Sequence, residues 1–212
     1  VQGGLGKSAM IAGFTLGAMS IGWPLASTLS GFIILRTGFR LTAMLGGFGM
    51  VLSSVILLFV NIHSSPWLIA AGAFLMGVGL GLTTNTFIVS IQSAVGWKQR
   101  GVATSSNMFM RMLGSAIGAA VLGGILNSRL MAHLQSQPIQ LPKSAEKTLD
   151  VANYLMDPEL VAKLDASTVQ LLKSFLANAT HLVFVVILGL TIVGAILLFF
   201  LPNGKRESAS KR

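Results

Sequence analysis

Five apolar runs, each long enough to cross a membrane as a helix, dominate this chain of 212 residues. They lie at about 8–35, 41–61, 67–95, 102–127 and 181–201. Roughly 20 helical residues cross the hydrocarbon core of a bilayer, and a helix satisfies its own backbone polar groups there. With 53% hydrophobic and 10% charged residues, the composition also lies far outside that of soluble domains. The sequence therefore predicts an all-α integral membrane protein with five transmembrane helices.

Basic residues are concentrated in the short connections between these runs and in the C-terminal tail, and the net charge is +9. Positively charged loops of membrane proteins lie on the cytoplasmic side. This rule predicts a multi-pass protein of the plasma (cytoplasmic) membrane with its basic tail, 202–212, in the cytoplasm. No nucleic acid partner is expected, because the chain has no basic polar face long enough for a duplex. The orientation depends on Arg36, Arg40, Lys98, Arg100, Lys205, Arg206, Lys211 and Arg212.

A long polar segment, 128–180, separates the fourth and fifth runs and carries five of the six acidic residues. The predicted orientation makes it an extracytoplasmic loop. Asp157 and Pro158 resemble a helix start, with a capping residue followed by proline at the first helical position. A short amphipathic helix is expected after them, either as an ordered lid or interfacial helix or as a binding element.

The residues give no support to an enzyme or a metal site. Cysteine is absent, and His63, His133 and His181 have neither metal-ligand spacing nor a nucleophile–base pairing. No cofactor is expected either. The chain begins with valine rather than methionine, which we interpret as the mark of a fragment of a longer protein.

The stretch 31–40, at the junction of the first two runs, is short and basic and has glycine at 31 and 38. It resembles the signature loop of the major facilitator superfamily of secondary transporters. Leu35 replaces the aspartate of that loop, and Phe39 replaces a residue that is commonly basic. The resemblance therefore implies no charge relay through that acid here. The positions that match are Gly31, Arg36, Gly38 and Arg40.

The resemblance also implies an order for the five helices. A half of such a transporter has six helices, with the signature loop between the second and the third. This chain would then supply helices two to six of an incomplete six-helix C-terminal bundle. The implied partners are the N-terminal half of the transporter, the lipid bilayer, protons and a small-molecule substrate.

Small residues recur at helical spacing on several of the predicted helices. Such stripes let membrane helices approach closely, because apolar side chains gain little from one another in lipid. The stripes predict a role in helix packing for Gly13, Gly17, Gly77, Gly81, Gly114 and Gly118.

Polar side chains at membrane depth are the candidates for a transport pathway. Asn85 needs a partner either in another helix or in a water-filled cavity, and the sequence leaves both open. Arg111 lies roughly 15 Å from the cytoplasmic boundary, where an arginine costs at least about 2.5 kcal/mol. No carboxylate lies in any predicted span, so no acidic side chain there can compensate the charge of Arg111. Two roles stay open for Arg111: a functional one, and a structural contact with helix ends. Asn107 and Gln92 complete this set.

The segments 100–107 (RGVATSSN) and 111–114 (RMLG) are similar to the penultimate helix of the fourteen-helix drug/proton antiporter branch of that superfamily. This implies proton-coupled export of drugs or other small amphipathic compounds by alternating access. The coupling carboxylates would then lie outside this chain. The alternative is a non-transporting membrane scaffold or regulatory subunit, or a truncated gene product.

Overall fold

The fold is built from long helices. It is taken from a computed structural model that describes residues 9–60, 64–135 and 166–201. The helices are α1 (Ala9–Leu58), α2 (Pro66–Ala94), α3 (Arg100–Gln135) and α4 (Ala166–Leu198), and a short 3₁₀ helix (Trp97–Gln99) connects α2 to α3. All four α-helices are long and apolar enough to cross a membrane. The predicted all-α membrane fold is confirmed.

Helix α1 consists of two arms, 9–37 and 39–58, that are separated by Gly38. This glycine has φ 85° and ψ 174°, whereas the residues on both sides are helical. A positive φ of this kind is accessible to glycine at little cost and is strained for other residues. Gly38 therefore makes the turn between the two arms, whereas the rest of 31–40, predicted as a loop, is helical.

The two arms of α1 run in opposite directions beside α2. Residues later in the first arm contact later residues of α2. Residues later in the second arm contact earlier residues of α2. Each arm is long enough to cross the bilayer at about 1.5 Å per residue. The two arms of α1 correspond to the first two predicted spans, and the bounds of all five spans stay a prediction. The pairs that define the directions are Gly22 with Phe74, Ser27 with Gly81, Gly46 with Thr83, and Ser53 with Gly72.

Helix α4 packs against the second arm of α1 in the opposite direction. The Thr191 hydroxyl donates to Ser54 Oγ at 3.3 Å, and Leu198 lies beside Gly47. The turn at Gly38, the α2–α3 connection and the end of α4 therefore lie at one end of the bundle. This end, called the basic end below, carries Arg36, Arg40, Lys98 and Arg100, and its cytoplasmic location stays a prediction.

Both helices that flank the polar segment 128–180 extend into it. Helix α3 continues to Gln135, and α4 begins at Ala166 and passes into the last span without a break. No glycine or proline interrupts the sequence 125–135 or 166–188, so nothing local ends either helix there. The predicted helix start at Asp157 and the tail 202–212 lie outside the described residues.

Replacement of Gly38 by alanine is expected to destabilise the protein by about 1–2 kcal/mol, because a Cβ is strained at positive φ. In thermal unfolding of the purified protein, this corresponds to a melting temperature lower by about 2–8 °C. Gly31→Ala is the matched control, since Gly31 is helical and its Cβ position has no neighbour within 4 Å. An unchanged melting temperature for Gly38→Ala would show that the turn does not need its positive φ.

Candidate transport groove

Asn85 lies in the packed seam between α2 and the first arm of α1. Its Nδ2 donates to the Ser27 carbonyl oxygen at 3.0 Å and to Ser30 Oγ. The sequence leaves two environments open for this amide, a partner in another helix and a water-filled cavity. In the structure, the amide contacts another helix. Asn85 therefore connects two helices at membrane depth, where an unsatisfied amide would be costly.

Two of the glycines predicted to pack lie in the same seam. A Cβ on Gly77 would meet the carbonyl oxygen of Met19, and a Cβ on Gly81 would meet the carbonyl oxygen of Trp23. The backbones of α2 and the first arm are therefore in direct contact. Glycine is the only residue that permits this approach.

The other four predicted packing glycines are open in this chain. At Gly13, Gly17, Gly114 and Gly118, a Cβ would meet nothing within 4 Å among the described residues. Their role in packing stays a prediction, with its partners outside the part of the chain that the structure describes.

The first arm packs on α2 through a face other than the one that carries Gly13 and Gly17. The sequence analysis did not predict this face. Gly22, Ala26 and Ser30 are buried, and a Cβ on Gly22 would lie 2.7 Å from the Phe74 carbonyl oxygen. These three small residues recur every four positions, as do Gly13 and Gly17. The spacing alone could have identified both faces, but it does not show which one meets α2.

Arg111 lies in an open groove of about 720 Å³ between α2, α3 and the first arm of α1. Two walls are polar, with Thr84 on α2 and Ser115 on α3. The remaining walls are apolar or aromatic. The groove is lined by Trp23, Leu80, Thr84, Arg111, Met112, Ser115, Ala116 and Ala119.

Three helices place this groove near the middle of the membrane. Arg111 is eleven residues beyond Arg100, the first residue of α3, and Thr84 is ten residues before Ala94, the last residue of α2. Trp23 is fifteen residues before the turn at Gly38. At 1.5 Å per residue, the three side chains lie roughly 15–22 Å from the basic end, about half of a 30 Å core or somewhat more.

A second groove of about 640 Å³ follows the same α2–α3 seam toward the basic end. Gln92 lines it and donates from Nε2 to Thr104 Oγ1 at 3.0 Å, which connects α2 to α3. Where this second groove reaches the basic end, the Arg100 guanidinium lies 5.0 Å from the centre of the Trp97 ring, a cation–π contact. Asn107 is half-buried on α3, between these two levels.

The charge around Arg111 is positive and uncompensated within the described residues. All six acidic residues of the sequence, at 146, 150, 157, 159, 165 and 207, lie outside them. Arg111 itself is exposed and forms no hydrogen bond or ion pair with the residues of 9–60, 64–135 and 166–201. The groove therefore presents a cation and two hydroxyl groups above an apolar surface.

Long apolar helices that pack around a groove at membrane depth define a multi-pass membrane protein. The sequence profile of the Major Facilitator Superfamily matches residues 1–119, and the chain belongs to this superfamily. The resemblance to this superfamily is thereby confirmed, and the assignment of 31–40 as its signature loop stays a prediction.

The relatives are transporters, and the chain covers only part of each. Multidrug transporter protein MdtP of Bacillus subtilis is 25% identical over 237 residues, covering 100% of this chain and 44% of the relative. Multidrug resistance protein Stp of Mycobacterium tuberculosis is 29% identical over 155 residues, covering 70% of this chain and 29% of the relative. Citrate exporter 1 of Yarrowia lipolytica is 29% identical over 173 residues, covering 81% of this chain and 25% of the relative. The chain thus spans less than half the length of these relatives.

Proposed function

We propose that this chain is part of a secondary active transporter that exports drugs or other small amphipathic compounds in exchange for protons. The observation that carries the proposal is the groove around Arg111, which lies at mid-membrane depth between helices. Substrate sites of such transporters lie near the bilayer midplane and are exposed alternately to the two sides. The apolar and aromatic walls suit an amphipathic compound, and the names of the multidrug relatives agree with this class.

The rest of the transporter is a required partner in this proposal. Proton exchange by this mechanism needs an acidic residue that changes protonation, and no carboxylate lies in the predicted spans of this chain. The coupling acids therefore belong to the N-terminal half of the transporter. We place the protein in the plasma membrane, with the basic end and the tail 202–212 in the cytoplasm.

Four polar residues form the proposed pathway, in different roles. Arg111 lies in the groove, and Gln92 lies in the second groove closer to the basic end. Asn107 is half-buried on α3 between them, and Asn85 holds α2 against the first arm. Family membership leaves the charge of the substrate open, because the names of the relatives include both multidrug transporters and a citrate exporter.

The test is transport by the intact protein in proteoliposomes with an imposed pH gradient. A trapped pH indicator reports proton movement when anionic, neutral and cationic amphipathic compounds are added one at a time. We expect at least one class to move protons, and we expect an uncoupler to abolish its transport. Protein-free liposomes of the same lipid are the control. Absence of proton-dependent transport for all three classes would favour the non-transporting scaffold instead.

A further inference from the structure

We propose that Arg111 binds the negatively charged group of the transported compound, so that the substrates are amphipathic anions. The inference rests on the proposed transport function, because it assigns the groove to the substrate, and it adds the charge class of that substrate. Three observations within the described residues carry it: Arg111 has no counter-charge there, two hydroxyl groups beside it donate to no partner there, and the groove has an apolar extension.

Arg111 requires a partner that the described residues do not supply. An arginine near the bilayer centre must face protein or water and be compensated. The part of the chain that the structure describes holds no aspartate or glutamate, and Arg111 makes no hydrogen bond there. The guanidinium has five N–H donors in a planar arrangement that matches a carboxylate or phosphate group. An oxyanion in the groove therefore supplies both the charge and the acceptors.

Two hydroxyl groups beside Arg111 are available to the same oxyanion. On α2, the hydroxyls of Thr83 and Thr86 donate to carbonyl oxygens of their own helix at 2.8 Å and 2.6 Å. Thr84 lies between them in sequence and makes no such bond within the described ranges, and the same holds for Ser115 on α3. Both line the Arg111 groove. Thr84 and Ser115 can therefore donate to a ligand without breaking a helix contact.

The remaining lining fits the uncharged part of an amphipathic molecule. Trp23, Leu80 and Met112 lie around Arg111, and Ala116 and Ala119 extend the surface along α3 away from the basic end. Small side chains at these two positions leave room beside the helix. A bound compound would place its oxyanion at Arg111 and its apolar body against this surface. A cationic compound would meet repulsion from Arg111 in the same position.

The experiment compares 1-naphthaleneacetate with 1-naphthaleneacetamide, its uncharged analogue of nearly the same shape. Binding of each to the purified full-length transporter is measured by calorimetry at neutral pH and low salt. We expect the carboxylate to bind about ten- to a hundredfold more tightly than the amide, the range typical of hydrogen bonds to charged groups. Arg111→Gln should remove this preference, and Arg111→Lys should retain part of it.

Arg129→Gln is the matched control. Arg129 follows Arg111 by eighteen residues on α3, which is five helical turns, so it lies on the same face about 27 Å away. We expect this variant to keep the full preference for the carboxylate. Equal binding of the two compounds by the unmodified transporter would overturn the inference. It would also be overturned if Arg111→Gln kept the preference, since the anion would then bind elsewhere.

A carboxylate side chain from the rest of the transporter is the other source of the missing charge. In that case the unmodified protein would show no preference for naphthaleneacetate and Arg111→Gln would lower its melting temperature, which again overturns the inference. The two proposals can fail separately. Proton-dependent export of neutral or cationic compounds without a carboxylate preference leaves the transport function in place. An Arg111-dependent preference without any transport leaves the anion site and removes the transport function.

Discussion

Replacement of Gly77 by leucine is expected to prevent correct assembly of the helix bundle. A Cβ at this position would meet the Met19 carbonyl oxygen, which is part of a helix backbone and cannot turn aside as a side chain can. Overpacking typically costs about 1–3 kcal/mol where side chains can adjust, and here two helices must separate. Their separation would also break the hydrogen bonds from Asn85 to Ser27 and Ser30. We expect a loss of at least about 3 kcal/mol, a large part of the usual stability of a protein.

The measurement is the yield of monodisperse protein after detergent extraction, together with its melting temperature. Gly189→Leu provides the matched control, because Gly189 is exposed on α4 and a Cβ there would have no described neighbour within 4 Å. This variant makes the same chemical change in a membrane helix and should assemble normally. Normal yield and melting temperature for Gly77→Leu would contradict the close contact between α2 and the first arm.

Replacement of Arg111 by alanine is expected to abolish export while leaving membrane insertion unchanged. Among the described residues, the guanidinium is the only charged group in the groove lining, so its loss removes their electrostatic contribution to substrate binding. Insertion should not suffer, because alanine at the bilayer centre is far less costly than arginine. Initial export rates in proteoliposomes with an imposed pH gradient should fall at least about tenfold relative to the unmodified transporter.

Arg129→Ala removes the same side chain from the same face of α3, near its other end, and should retain export. The amount of each variant in the membrane is measured in parallel, so that lost export is not confused with lost protein. Retained export by Arg111→Ala would exclude Arg111 from the transport site. Equal loss in both variants would indicate that α3 needs its positive charges for assembly rather than for transport.

Much of the fold could be predicted because its determinants are local. An apolar run of about 20 residues inserts as a helix whatever its neighbours are, so composition and length were sufficient to predict an all-α membrane fold. The determinant of the turn at Gly38 is also local, since its positive φ favours glycine, but the sequence predicted a loop where helix surrounds this single residue. The ends of the helices were harder to predict. Polar residues after 127 and before 181 suggested a loop, but a helix can continue beyond the membrane when nothing in its sequence stops it.

The candidate groove could be predicted only in part. Arg111 was identified from its cost at the bilayer centre, and that argument needs no knowledge of neighbouring helices. Trp23, Thr84 and Met112 were not predicted as its neighbours, because they lie on three different helices. Asn85 shows the same limit. Its need for a partner was evident, but Ser27 and Ser30 became its partners through the packing of α2 on the first arm.

The sequence by itself determined that the protein is an all-α membrane protein of long apolar helices, with an arginine inside one of the predicted spans. Each of these follows from transfer energies or backbone conformation of single segments. Only the tertiary structure decided which face of each helix is in contact. Lipid and apolar side chains are nearly equivalent surroundings for a membrane helix, so hydropathy does not set its rotation. Close backbone contact at Gly22, Gly77 and Gly81 sets it instead, and thereby places Arg111 beside Thr84 in the groove.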